Sequence, residues 1–107
     1  MTTVRETFEN MPNAFRPEAA KGMNAIYQFD ILGDGGGKWY AAIADGVLTV
    51  GEGQHDKPNV TITMKTDNYL AMSAGKLSGM VAFATGKLKV KGDMILAAKM
   101  QAIFKQP

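Results

Sequence analysis

The side chains that most often carry out hydrolysis are scarce in this chain. Its serines are Ser73 and Ser78, its one histidine is His55, and it contains no cysteine. Nucleophilic hydrolysis needs a serine or cysteine beside a base, and neither serine lies in a G-x-S-x-G turn. His55 lies beside Asp56 in a glycine-rich polar loop, where a lone histidine is more often a surface group than a metal ligand. A triad enzyme is therefore not expected, and the absence of cysteine excludes zinc sites built on sulfur.

A glycine-rich run and four acidic residues are the remaining candidates for site chemistry. Residues 33–37 contain four glycines, but Lys38 stands where G-x-G-x-x-G needs its third glycine, and no serine or threonine follows as in a Walker motif. A hairpin turn explains these glycines without a nucleotide. Acid or base chemistry would have to use the carboxylates not otherwise assigned, and two of these are explained as loop and helix-cap residues. They are Asp30, Asp45, Glu52 and Asp93.

Lysines alternate with apolar residues near residue 90. Lys87, Lys89 and Lys91 would form one row of ammonium groups on an edge strand and could follow phosphates. Proteins that bind nucleic acid without sequence preference interleave aromatic side chains, and no aromatic residue lies between Phe83 and Phe104. Nucleic acid is therefore not expected as a partner.

Positive charge is concentrated in the last third of the sequence. Residues 71–107 contain six lysines and only Asp93 as an acid, whereas residues 1–70 carry an excess of acids. A transient contact with an anionic membrane surface is one interpretation, because each lysine near such a surface is worth about 1 kcal/mol. A solvated face is the other interpretation.

Methionine is frequent, with eight residues in the chain. Flexible thioethers suit surfaces that must fit variable apolar shapes, although methionines also fill irregular cores. The periodicity does not distinguish these two uses. The methionines and phenylalanines of the second half are Met64, Met72, Met80, Met94, Met100, Phe83 and Phe104.

The elements of the first half follow from capping and alternation. Thr3 and Glu6 have capping-box spacing, and an i, i+4, i+7 apolar repeat predicts a helix of about two turns that Pro12 ends or bends. Residues 17–22, with proline first and glycine last, predict one further turn. Period-two alternation predicts strands over 23–32, 39–43 and 48–50, the last two joined by an Asp-Gly turn of type I′.

The second half alternates strands with short helices. Residues 59–64 alternate strictly with β-branched residues and predict a strand. Thr66 and Ser78 are predicted to cap helices that end at glycines 75 and 86. A strand from Leu88 and an amphipathic helix opened by Asp93 complete the chain.

Length and composition favour one globular domain over residues 1–107. The chain is 46% hydrophobic and 21% charged, which is typical of globular proteins, and a domain of this size forms one core. There is no apolar stretch of signal-peptide or membrane-spanning length. The last three residues do not form a peroxisomal address of the Ser-Lys-Leu type. For these two reasons a cytoplasmic location is expected.

The second half of the sequence resembles the sterol carrier protein type 2 domain family. The first half is similar to that family more loosely, through Phe29, Asp30 and Ile31, through Trp39, and through its glycines. The motifs that carry the resemblance are 60–64 (VTITM), 75–77 (GKL), 82–83 (AF), 86–94 (GKLKVKGDM) and 96–100 (LAAKM).

The resemblance implies an α/β (α+β) fold in which helices cover a five-stranded, mostly antiparallel sheet and enclose an apolar tunnel. It implies a non-enzymatic carrier of fatty acids, fatty acyl-CoA, sterols or phospholipids, without a cofactor. A non-catalytic interaction module of a lipid-metabolism complex is the alternative. The residues expected to contact the ligand are Trp39, Ile43, Ile62 and Met64 from the sheet, Met72, Leu77, Met80 and Phe83 from the middle helices, and Met100, Ile103 and Phe104 from the last helix.

Overall fold

The computed structural model describes residues 2–105, and its first element is helix α1, Val4–Ala14. The predicted capping box is confirmed, because the Thr3 hydroxyl accepts the Glu6 N–H and the Glu6 carboxylate accepts the Thr3 N–H. Pro12 does not end the helix. It lies in the last turn, where its missing N–H costs at most one hydrogen bond, and the helix continues for two more residues. Residues 17–22 form hydrogen-bonded turns and not a helix.

Three strands follow as an antiparallel meander: β1 Asn24–Leu32, β2 Gly37–Ala44 and β3 Val47–Glu52. The predicted type I′ turn joins β2 to β3, since Asp45 and Gly46 have φ values of 52° and 75°. In the β1–β2 pair Phe29 lies opposite Trp39. This register places Trp39 on the same face as Tyr27 and Phe29.

The remaining strands, β4 Val60–Lys65 and β5 Leu88–Gly92, extend the sheet on the other side of β1. The strand order is β3-β2-β1-β4-β5, and only the central β1–β4 pair is parallel. The prediction of a five-stranded, mostly antiparallel sheet is therefore confirmed. β5 is an edge strand, as its row of lysines indicated.

Three helices fill the second half: α2 Thr66–Ser73, α3 Gly79–Ala84 and α4 Met94–Ile103. Ser78 caps α3 and Asp93 caps α4, as predicted, because their side chains accept backbone N–H groups of the first turn. The predicted cap at Thr66 is wrong. Its hydroxyl donates instead to the Leu32 carbonyl, 2.9 Å away, and so ties α2 to the end of β1.

All four helices lie on one face of the sheet. That face carries the odd residues of β1, of which Tyr27, Phe29 and Ile31 are buried. The opposite face carries polar and charged residues, including Lys89 and Lys91, which lie beside Thr63 and Thr61. Leu88 and Val90, between the lysines, face the helices. The lysine row therefore faces away from the helical layer.

A loop at residues 53–58 covers part of the opposite face. The buried side chain of Gln28 donates to the Gly53 carbonyl and accepts the His55 N–H, at 3.1 and 2.9 Å. The His55 ring lies edge-on to Tyr40 and its Nδ1 accepts the Lys57 N–H. His55 is thus a partly buried residue that shapes this loop, more enclosed than the surface group expected from sequence.

The end of α4 is joined to the end of α1 by a short antiparallel contact, the terminal clasp. The Arg16 N–H donates to the Ile103 carbonyl at 2.7 Å, and the Lys105 N–H donates to the Ala14 carbonyl at 2.8 Å. Between these bonds the rings of Phe15 and Phe104 lie 5.8 Å apart. The clasp fixes the first and last helices relative to each other.

Candidate functional site

A cavity of about 970 Å³ lies between the helix-covered face of the sheet and the four helices. Its floor consists of inward-facing residues of β1, β4 and β5. They are Phe29, Ile62, Met64, Leu88 and Val90. Every one of these side chains is apolar, so the sheet offers the cavity no hydrogen-bonding side chain.

Methionines from all four helices supply much of the cavity wall. Six of the seven methionines in residues 2–105 line the cavity. A wall of unbranched, flexible thioethers adapts to the shape of what it encloses. The six are Met11, Met64, Met72, Met80, Met94 and Met100.

A stack of aromatic rings separates the cavity from β2. Phe8 lies parallel to Trp39 on one side and to Tyr69 on the other, with ring centroids 5.1 and 5.4 Å apart. Its ring also meets Phe29 at a steep angle, at 5.1 Å. Such contacts add about 0.5–1.5 kcal/mol each beyond burial of their area. The stack is therefore a firm side wall, and Trp39 lies behind it.

Arg5 covers the outer side of the same tryptophan. Its guanidinium lies 5.1 Å from the Trp39 ring centroid and forms two hydrogen bonds to the Glu52 carboxylate, at 2.9 and 3.1 Å. The ion pair is exposed to solvent and so contributes little to stability by itself. Glu52, explained from the sequence as a loop residue, is the last residue of β3 and positions this cation.

A tyrosine and a threonine form a polar pair in the cavity wall. The Tyr69 hydroxyl lies 2.8 Å from the Thr7 hydroxyl, which donates to the Val4 carbonyl at 2.7 Å. With the Thr7 proton so used, Tyr69 donates to Thr7. Burial raises the pKa of Tyr69 to about 12, and a hydrogen bond that Thr7 donates to the ionised phenolate offsets some of that rise. The pair is therefore neutral at physiological pH.

A second tyrosine holds α4 against the sheet. The Tyr27 hydroxyl donates to the Leu96 carbonyl at 2.7 Å. Burial, and secondarily the negative charge of Asp93, raises the pKa of Tyr27 to about 12. Because this bond fixes the first turns of α4 over β1, Ala97 and Met100 face the cavity.

Charged side chains line only the rim of the cavity. Glu6, Glu9 and Lys105 contribute to the lining, and all three are exposed to solvent. Within residues 2–105 no group of three or more histidines and carboxylates is placed to hold a metal ion. The residues considered from sequence for acid, base or metal chemistry lie outside the lining. They are Asp30, Asp45, Glu52, His55 and Asp93.

The structure brings seven of the eleven predicted contact residues together around the cavity. These seven are Ile62, Met64, Met72, Met80, Phe83, Met100 and Phe104. The other four pack elsewhere. Trp39 lies behind Phe8, Ile43 and Ile103 are buried in the core, and Leu77 packs against that core from the linker between α2 and α3.

Several lining residues were not foreseen from the sequence. Thr7 and Met11 belong to α1, whose position over the sheet has no local signal in the sequence. Tyr69 had no signal either, because α2 has no clear apolar stripe. Leu88 and Val90 did have one, since their alternation with lysines marks them as inward-facing.

Known proteins share the sequence pattern and the architecture of this chain. Residues 6–105 match the SCP-2 sterol transfer family. Hydroxysteroid dehydrogenase-like protein 2 from Homo sapiens and from Mus musculus is 36% identical over 104 residues, which is 96% of this chain but 25% and 21% of those proteins. The chain thus spans about a quarter or less of these curated relatives.

Solved structures share the fold at different lengths. Palmitated SCP2L2 from Aedes aegypti is 27% identical, with a TM-score of 0.79 over 92% of this chain and 91% of that one. The sec-alkylsulfatase Pisa1 from Pseudomonas sp. has a TM-score of 0.83 over 99% of this chain and 17% of that one, at 20% identity. No helix in residues 2–105 has the length and hydrophobicity to cross a bilayer. Since the family match covers nearly every described residue, the chain belongs to the SCP-2 sterol transfer family.

Proposed function

We propose that this chain binds the acyl chain of a lipid in the cavity beneath its helices and carries it through the cytoplasm without chemical change. The observation that carries this proposal is the cavity itself, about 970 Å³ in volume and lined by flexible thioethers and aromatic rings. Cavities of roughly 300–1,000 Å³ enclose most of the surface of a small ligand. Fatty acids and fatty acyl groups are the ligands that this lining favours.

The energetics favour broad selectivity. Each methylene removed from water contributes about 0.8 kcal/mol, which is about fourfold in affinity. Orientation depends on few polar groups, chiefly the Tyr69–Thr7 pair and the charged rim. Affinity should therefore follow chain length more than head-group chemistry. The relative from Aedes aegypti that was solved with palmitate supports the choice of an acyl chain.

Calorimetric titration of delipidated protein with laurate, myristate and palmitate tests the proposal. We expect saturable binding that tightens about fifteenfold for each two added methylenes until the cavity is filled. Native mass spectrometry of the purified protein should also detect co-purifying lipid. Absence of saturable palmitate binding, or affinities independent of chain length, would contradict the proposal.

A second candidate is a non-catalytic module that presents lipid to a partner enzyme. It is favoured by the curated relatives, which are dehydrogenase-like proteins about four times as long as this chain. This alternative predicts that the lipid-loaded protein, but not the delipidated protein, associates with such an enzyme. Analytical ultracentrifugation of the two forms with a dehydrogenase-like relative separates the alternatives. Association that does not depend on loading would reject a presenting role.

A further inference from the structure

Most exposed large apolar side chains of this protein are concentrated at one edge of the cavity. Seven such side chains occur among the described residues, and five belong to α3 or the first turn of α4. The other two, Leu32 and Val47, lie beside hairpin turns. The five residues, here called the mouth patch, are Met80, Val81, Phe83, Met94 and Ile95.

The mouth patch borders an opening of the cavity. Met80, Phe83 and Met94 line the cavity and are also half or more exposed, so the cavity reaches solvent between α3 and α4. Val81 and Ile95 are exposed by 52% and 72% and do not line the cavity. These two side chains therefore have no role in enclosing a ligand, and their exposure requires another explanation.

Exposed lysines flank the helices that carry the mouth patch. Lys76 and Lys87 flank α3 in sequence, both are exposed, and no aspartate or glutamate occurs between Asp67 and Asp93. Lys99 follows Ile95 by four residues on α4 and so shares its side of the helix. The carboxylate of Asp93 accepts two backbone N–H groups of the same helix. An apolar centre with a border of lysines complements an anionic surface.

Near α1 the cavity lining carries more negative than positive charge, with Glu6 and Glu9 against Lys105. There α1 contributes Glu6 and Glu9, both exposed, and an anionic surface would repel them. We propose that the protein docks on anionic lipid bilayers through the mouth patch, with Val81 and Ile95 entering the interface and the flanking lysines contacting lipid phosphates. Long basic side chains and exposed apolar groups bind such interfaces together. An acyl chain would then pass between membrane and cavity without crossing water.

Vesicle sedimentation with V81Q/I95Q tests this proposal. Wild-type protein should bind vesicles of phosphatidylcholine with phosphatidylserine, bind phosphatidylcholine alone weakly, and lose affinity as salt is raised. V81Q/I95Q should bind the anionic vesicles at least tenfold more weakly. L32Q/V47Q, which removes the two exposed apolar residues outside the patch, is the matched control and should bind as wild type does.

A second pair of variants, which carry the same net charge as each other, tests the electrostatic border. K76Q/K87Q removes two lysines beside the mouth patch, whereas K89Q/K91Q removes two from the opposite sheet face. The first should weaken vesicle binding about 25-fold at low salt, at about fivefold per lysine, and the second distinctly less. Equal effects of the two pairs would overturn the assigned surface.

The proposal is distinguishable from the lipid-carrier function itself. Palmitate binding in solution should be unchanged in V81Q/I95Q, because neither residue lines the cavity. Failure of palmitate binding in wild type would reject the carrier function and leave the vesicle result standing. The docking surface would be rejected if V81Q/I95Q bound vesicles as tightly as wild type does. It would also be rejected if wild type self-associated through this patch without binding vesicles, and V81Q/I95Q abolished that self-association.

Discussion

Replacing Met100 by tryptophan should separate a ligand cavity from a filled core. Met100 lies on α4, is partly buried, and lines the cavity. Ile103 lies on the same helix less than one turn away, but it is only 1% exposed and does not line the cavity. Met100→Trp and Ile103→Trp therefore form a matched pair in which each substitution adds an indole ring.

The two substitutions should differ in their effect on stability. At Ile103 the larger ring has no free volume, and overpacking of this kind costs about 1–3 kcal/mol. For a domain of this size each kcal/mol lowers Tm by about 4–8 °C. At Met100 the ring enters a cavity of about 970 Å³, so delipidated Met100→Trp should melt at or above the wild-type temperature.

Calorimetry of delipidated proteins measures both melting and palmitate binding. We expect Met100→Trp to keep its Tm while losing most of its palmitate affinity, because the indole occupies space that the acyl chain needs. Ile103→Trp should lose Tm and bind palmitate wherever it remains folded. The reasoning fails if delipidated Met100→Trp melts as low as Ile103→Trp, or if it binds palmitate as tightly as wild type.

The free energy of unfolding should fall as pH rises above 10, because Tyr27 and Tyr69 have pKa values of about 12 in the folded protein and about 10 in the unfolded chain. Their contribution to stability is complete below pH 10 and is progressively lost from pH 10 to 12. Urea denaturation across this range should show the loss, and an unfolding free energy independent of pH there would contradict it. Tyr69→Phe removes the bond to Thr7 and should cost about 1 kcal/mol at pH 7 while reducing the alkaline loss, both measurable in the same assay. In chemical denaturation Gly92→Ala should lower the free energy of unfolding more than Gly86→Ala does. Both glycines have positive φ, but only at Gly92 would the new Cβ collide with the Asn59 carbonyl. Equal losses of stability would refute the collision.

Much of the fold was predictable because local rules determined it. Alternation identified the strands and their inward faces, and Ser78 and Asp93 cap the helices that they were predicted to cap. Thr66 failed as a cap because its hydroxyl found a partner in Leu32, a residue distant in sequence. The parallel pairing of β1 with β4 also has no local signal, since it depends on how the chain crosses the sheet.

The candidate site was less predictable for a related reason. Inward alternation tells which side chains face the helices, but not which helix covers each of them. Trp39 faces inward as predicted, yet Phe8 covers it and removes it from the cavity. Phe29 lies opposite Trp39 in the sheet and remains in the cavity lining. The difference arises from the placement of α1, which tertiary packing determines.

The terminal clasp has a consequence for how the cavity opens. Any widening at that end must break the Arg16–Ile103 and Lys105–Ala14 backbone bonds and pull the Phe15 ring away from Phe104. The short helix α3, by contrast, buries only Ala82. Amide hydrogen exchange should therefore be slow at Arg16 and Lys105, close to the rate set by global unfolding, and faster in α3, where local opening is sufficient. We therefore expect the cavity to open at the α3 end, by rotation about the terminal clasp.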